Sequence, residues 1–268
     1  MLFRSPFVPA APERGRAGVP AFTLSFRRWE QLTPDCLDQG PALVYLPCQE
    51  LPGHEDALRR WAQAYPDIGF GVVLPRVVWD RELPRLRREL EAARQAGVTQ
   101  ALLGHIGQLP LARSFGLIPR GDFGLGLTND ETAAELARLG FASATASFES
   151  RLAQIRDLSK PLDLELLVYG RLPLMLMEHC ILRNRGQGCH CQDKPQSLGD
   201  RKGEHFPVES AWGCRNELFN AKPLWLADKT DWRTAGAAYA RLAFLREGPG
   251  ECARVFRAYR EGAGEPPR

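Results

Sequence analysis

A repeated alternation constrains this chain more than any other feature: short apolar runs of β character are separated by longer, charge-rich segments of helical period. The runs are FTLSF (22–26), ALVYLP (42–47), GFGVVLP (69–75), ALLGHI (101–106), FGLGLT (123–128), SATASF (143–148) and LELLVYG (164–170), with PLMLME (173–178) a candidate eighth. Between them lie EDALRRWAQAY (55–65), RELPRLRRELEAARQAG (81–97) and NDETAAELARLG (129–140), each with apolar residues spaced to face one side of a helix. Strands joined by helical crossovers predict a parallel sheet. Seven or eight such units, with no Gly-rich nucleotide fingerprint after any strand, predict a closed TIM-like (β/α) barrel rather than an open doubly wound sheet. GLGL at 124–127 falls inside a predicted strand and is a weak dinucleotide motif.

The 268 residues suffice for one barrel with a small appendage. The predicted division is a flexible leader or linker over 1–20, where four prolines lie among small and basic residues, a barrel over 21–178, and a C-terminal cysteine-rich subdomain over 179–262. A formal net charge of +3 does not by itself declare a nucleic-acid partner. No apolar run approaches the ~20 residues of a membrane span and no compact signal segment opens the chain, so a cytoplasmic location without membrane contact is expected. In a reducing compartment the seven cysteines are expected as thiolates rather than disulfides.

Five of those seven fall in the last third: Cys180, Cys189, Cys191, Cys214 and Cys252. Soft thiolates on loops suit zinc or an iron–sulfur cluster, because convergent sulfurs close a coordination sphere without a pre-built core. Buried, inert cysteines are the alternative. Gly188-Cys189-His190-Cys191 weighs against it, since a polar, Gly-bearing loop offers these side chains little apolar surface.

The succession VYGRLPLM, EHC, a cysteine loop, DRKG with FPV, then CR and NAKPL resembles the C-terminal part of the U-32 peptidase family, the collagenase-like proteins, and more narrowly the second barrel-and-cysteine unit of its long bacterial members. The specific part of the resemblance is 164–226. It implies a 4Fe-4S cluster held by four cysteines, by position Cys180, one of Cys189 and Cys191, Cys214 and Cys252, with zinc as the alternative metal. It implies oxygen-independent hydroxylation of RNA bases, in rRNA or tRNA, or of a small aromatic quinone precursor. A preceding barrel unit or partner subunit is implied as well. A hydrolase, as the family's name says, and a non-catalytic metal-stabilised accessory domain are the other readings. The short peptidase signature, an acidic residue and an aromatic running through Gly-Ser or Gly-Ala to Cys, is missing here, which puts proteolysis in doubt more than the cluster.

Barrel enzymes work at the C-terminal ends of their strands. Candidates there include Arg76, His105, Asn129, Glu149, Tyr169 and Arg171. The resemblance supports Asn129 and the Ser147-Phe148-Glu149 turn as recurring positions, without assigning a reaction. Each candidate also has a structural alternative: Asn129 as a helix cap, Glu149 as a helix-start charge, Tyr169 as packing. Glu178-His179-Cys180 would supply a base and a nucleophile to a protease, but adjacent strand residues point to opposite faces. Arg201, Lys202 and Arg215 could hold a phosphate or carboxylate, Arg through its bidentate fork, or serve as solvated turn charges balanced by Asp200, Glu204 and Glu217. The resemblance implies a cavity with Asn129, Glu149, Tyr169 and Arg171 on the barrel wall and Arg201, Lys202 and Arg215 on the other. A stacked RNA base or a small aromatic acid would fit between them.

Overall fold

A computed structural model describes residues 18–183 and 195–266. The expected leader, over most of its length, lies outside the described residues, as do Cys189 and Cys191.

Eight parallel strands close into a barrel. Seven follow one another: β1 (Ala21–Ser25), β2 (Leu43–Pro47), β3 (Gly69–Val73), β4 (Gln100–Leu103), β5 (Ile118–Gly121), β6 (Ser143–Thr145) and β7 (Asp163–Gly170). The chain then leaves through β8 (Pro173–Met177), β9 (Gln196–Gly199), β10 (His205–Ala211), β11 (Arg215–Phe219) and β12 (Leu224–Trp225), and returns as β13 (Tyr239–Ala243). β13 lies between β7 and β1, and β6 pairs with β7, which closes the ring. Helices α1 (Pro34–Leu37), α2 (Glu55–Ala64), α3 (Leu83–Gln95), α4 (Leu109–Ser114), α5 (Asp130–Arg138), α6 (Leu152–Asp157) and α7 (Pro249–Glu261) complete the described elements.

The (β/α) barrel is the predicted fold, but its eighth strand is not the predicted one. PLMLM forms an edge of a separate antiparallel sheet, ordered β8-β11-β10-β9, and leaves Leu174 and Met175 more than half exposed. YARLA supplies the closing strand instead, with Ala240 and Leu242 buried toward the helices and Arg241 among the buried charges. Its central arginine hid it from an apolar pattern. Residues 171–238 are thus an insertion between strands seven and eight, and beyond it β13 pairs with β7 and β1.

The fifth strand also differs from expectation. It lies at 118–121, while Phe123–Leu125 form a tight turn that ends at Gly126 in the left-handed region, φ 64°. At Gly124 an added Cβ would overlap the Gly104 carbonyl oxygen, so this loop crosses the preceding strand's end at a distance only glycine allows. The expected strand was therefore a glycine-dependent turn.

The main core lies between barrel and helices, and an aromatic seam joins its ends. Phe22, Tyr169, Trp225, Trp232, Phe256 and Tyr259 meet largely edge to face, with centroids 5.3–6.5 Å apart where they pair. Tyr259 Oη donates to the Val168 carbonyl at 2.6 Å and accepts from the Leu226 amide at 2.7 Å.

The barrel interior, by contrast, holds buried charges beside a small apolar cluster of Leu43, Tyr45 and Leu102. Fully buried Glu165 accepts from Thr23 Oγ1 at 2.6 Å and from Thr145 Oγ1 at 2.9 Å, and lies 3.5 Å from Arg241 Nε. Arg241 Nη2 donates to Asp122 and, at 3.2 Å, to Thr145. Two charges taken from water must find such partners or cost several kcal/mol.

Candidate active site at the barrel mouth

The insertion sheet lies over the C-terminal ends of the barrel strands, and partly buried ion pairs fasten it there. Glu217 of β11 accepts from Arg27, just past β1, at 2.8 Å and from Arg76, just past β3, at 2.9 Å. Arg215, 2% exposed, pairs with Glu82 before α3 at 3.1 Å and with Glu178 after β8 at 2.6 Å. Glu209 of β10 meets Arg246 after β13. Trp212 Nε1 donates to Glu89 of α3 at 2.7 Å, and Glu89 also receives the Cys48 thiol at 3.0 Å.

Beneath this sheet is a cavity of about 180 Å³. Its floor includes Ser25, Val73, Leu102, Asp122, Leu167 and Arg241, and its roof includes Leu176, Trp212, Arg215, Glu217 and Phe219. Two guanidinium groups lie over phenyl rings in its wall: Arg27 over Phe219 at 5.7 Å and Arg76 over Phe123 at 5.3 Å. A second cavity of about 260 Å³ adjoins it, and both are lined by Arg27, Gln49, Ala211, Trp212 and Arg215. Cys180 and Cys214 line the second cavity.

Cys214 is the one non-glycine residue with positive φ, 63°, among the described residues. That conformation costs a side-chain-bearing residue about 1 kcal/mol and concentrates at functional sites. Cys214 is also exposed and Cys180 partly so, as metal-binding thiolates on a cavity wall would be. Two thiols on one wall fit a soft metal. Among the described residues no group of three or more His, Cys, Asp or Glu side chains converges as a metal site.

Cys252 is placed elsewhere. It is fully buried in α7, and its thiol lies 3.6 Å from the Glu247 carbonyl oxygen. It does not line the cavity of Cys180 and Cys214. Burial raises its thiol pKa, with Cys36 and Glu247 adding negative potential. Cys48 is raised as well, by burial and then Glu89, and Cys36 by burial.

The residues expected to wall one cavity are found in several places. Arg171 and Arg215 line the mouth cavity together. Arg171 donates to the carbonyls of Asn220 at 3.1 Å and of Ala221, tying β7 to the insertion. Asn129 caps α5, its Oδ1 accepting from the Thr132 amide at 2.8 Å. Glu149 is exposed in the turn after β6. Tyr169 is buried in the aromatic seam, donating to Glu247 at 2.7 Å, and burial followed by that carboxylate raises its pKa. Arg201 and Lys202 occupy an exposed turn between β9 and β10, organised by Asp200, which accepts from the Lys202 amide at 2.8 Å. None of these five lines either cavity.

Several residues of the mouth and the lumen were not among the sequence candidates. Arg27 follows the first apolar run directly, so its position was readable. Glu165 and Arg241 are charges inside strands that face the barrel lumen rather than the helices. Asp122 follows a strand that the sequence reading displaced.

No family model matches the chain, and no curated protein does. Among solved structures it is similar to the tryptophan synthase α-subunit of Pyrococcus furiosus, 9% identical with a TM-score of 0.51, over 91% of this chain and 99% of that one. The tryptophan synthase of M. tuberculosis is 8% identical with a TM-score of 0.50, over 91% and 93%. A U32 peptidase is 12% identical with a TM-score of 0.48, over 89% and 98%. The tryptophan synthase likenesses show the TIM-barrel fold alone.

Proposed function

We propose that this chain is a U-32-like iron–sulfur protein that carries out oxygen-independent hydroxylation at the barrel mouth, with an RNA base as substrate. Cys180 and Cys214, with Cys189 and Cys191, would hold a 4Fe-4S cluster. When bound, the cluster supplies one-electron chemistry at a potential set by its surroundings. The observation that carries the reading is the shared wall. The cavity lined by Cys180 and Cys214 adjoins the cavity under the insertion, with Arg27 and Arg215 lining both.

Cys252 is left out of the proposed ligand set, because it is fully buried in α7 and does not line the cavity of Cys180 and Cys214. The chain's own groups at the mouth favour a planar ring. Arg27 and Arg76, each lying over a phenyl ring, offer the combined aromatic and guanidinium surface on which unstacked bases settle. Both guanidinium groups already share Glu217. An RNA base is the substrate in this reading, acted on in the cytoplasm by the chain alone or beside a preceding barrel unit, and a small aromatic acid is its competitor. Among the described residues no helix is long and apolar enough to cross a membrane.

The hydrolase reading gains no support at Glu178. Its two oxygens accept from Arg215 at 2.6 and 3.0 Å and from Trp79 Nε1 at 2.8 Å. Those bonds lower its pKa, Arg215 first, which suits a latch and not a general base.

The test is mass spectrometry of ribosomal and transfer RNA nucleosides from cells with and without the gene. The proposal expects one hydroxylated base to disappear on deletion. If none does, the RNA reading fails and a small aromatic substrate or a structural role moves ahead.

A further inference from the structure

The hairpin that carries Cys214 is gripped on both flanks by carboxylates of the third barrel connection. Ala211 pairs with Arg215, so the loop between β10 and β11 is Trp212-Gly213-Cys214. Its last two residues are left-handed, with φ 74° at Gly213 and 63° at Cys214. Glycine adopts this conformation freely. Cysteine does so only where the surroundings over-determine it.

Those surroundings are specific. On one side Trp212 is buried, its Nε1 donating to Glu89 at 2.7 Å and its ring lying 4.9 Å beneath the Arg85 guanidinium. Arg85 in turn pairs with Glu89 at 2.8 Å. On the other side Arg215 folds back under its own hairpin. Its Nη1 donates to the Trp212 carbonyl and to Glu82, both at 3.2 Å, and its Nη2 donates to Glu82 at 3.1 Å. A Cβ at Gly213 would overlap that guanidinium, so the loop and its support are packed without clearance. Between two anchored neighbours, Cys214 is exposed on the cavity that Cys180 also lines.

We infer that Glu82 and Glu89 are positioning residues that fix Cys214 in its left-handed conformation and so present its thiol to the cavity. The use of that thiol rests on the iron–sulfur reading above; the grip on the loop does not.

Two readouts on wild type, Glu89→Ala and Glu89→Gln test this: hydrogen exchange of the 211–216 peptide in metal-free protein, and iron and sulfide content after anaerobic reconstitution. Glu89→Ala removes the acceptor of Trp212. It is expected to speed exchange in 211–216 at least tenfold, with barrel-strand peptides unchanged, and to retain less than half the wild-type iron. Glu89→Gln keeps a neutral acceptor and is expected to stay within twofold of wild type on both. Should Glu89→Ala loosen the whole chain, Glu82→Ala, at the better solvated end of the grip, is read the same way. Unchanged exchange, or fast exchange with full iron content, overturns the inference. A wild type that takes up no iron overturns the iron–sulfur reading instead, and the exchange data then decide by themselves whether these carboxylates hold the loop.

Discussion

The Glu217 carboxylate of the insertion lies 2.8 Å from Arg27 Nη1, at the end of the first barrel strand, and its other oxygen lies 2.9 Å from Arg76. The three side chains are between 11% and 27% exposed, so water screens them little. Removing the carboxylate leaves two guanidinium groups facing each other in a cavity wall. Glu217→Ala should lower the unfolding free energy by about 3 kcal/mol, measured by chemical denaturation, and Glu217→Gln by less. An effect below about 0.5 kcal/mol, the range of ordinary surface changes, would mean that the insertion is fastened elsewhere.

The barrel lumen makes a second case. Glu165 is the shared acceptor of Thr23 and Thr145 and the nearest carboxylate to Arg241 Nε. Glu165→Ala takes from Arg241 one of its two carboxylates and from the Thr23 hydroxyl its acceptor, and should cost about 3 kcal/mol in the same measurement. A cost under about 1 kcal/mol would show that Asp122 alone neutralises Arg241.

The latch on Arg215 carries a pH dependence whose sign is fixed. Glu178 is lowered below the ordinary carboxyl value by its bonds from Arg215 and Trp79. In Glu82 burial acts upward, but the Trp79 amide and Arg215 outweigh it, so its pKa is lowered too. Depressed carboxyl pKa values contribute stability above the unfolded value, near 4.5, that is lost as pH falls through the folded one. Hydrogen exchange in 211–216, corrected for the intrinsic rate, should be flat from about pH 5 to 8 and accelerate below about pH 4.5. Acceleration beginning near pH 6.5 would point to a histidine instead.

The barrel was legible because crossover helices and parallel strands leave two different periods in the sequence. Its fifth and eighth strands were not. IPRG carries a proline and a charge, and YARLA a central arginine, because both face a lumen with buried charges, which the apolar pattern of the outer core does not describe. The lining of the two cavities was legible at Cys180, Cys214, Arg171 and Arg215. Asn129, Tyr169, Arg201 and Lys202 carried the same residue types, yet they serve a helix cap, an aromatic seam and an exposed turn. What separated the two groups was the insertion's position over the mouth, which rests on pairings as remote as Arg27 with Glu217 and Trp212 with Glu89.

Burial also sorts the described cysteines. Cys36, Cys48 and Cys252 are buried with raised thiol pKa values, whereas Cys214 is exposed. Brief iodoacetamide treatment of native, metal-free protein at neutral pH, followed by peptide mapping, should label Cys214 at least tenfold faster than those three. Equal labelling of Cys252 would remove the reason for leaving it out of the ligand set.

The iron–sulfur cluster proposed for the cavity of Cys180 and Cys214 is tested most directly by iron, sulfide and zinc analysis of anaerobically purified wild type, Cys180→Ser, Cys214→Ser and Cys252→Ser. The expected result is about four iron and four sulfide per wild-type chain, loss of most of both in Cys180→Ser and Cys214→Ser, and wild-type content in Cys252→Ser. Wild-type protein carrying zinc without sulfide, or iron that survives both Cys180→Ser and Cys214→Ser, would contradict it.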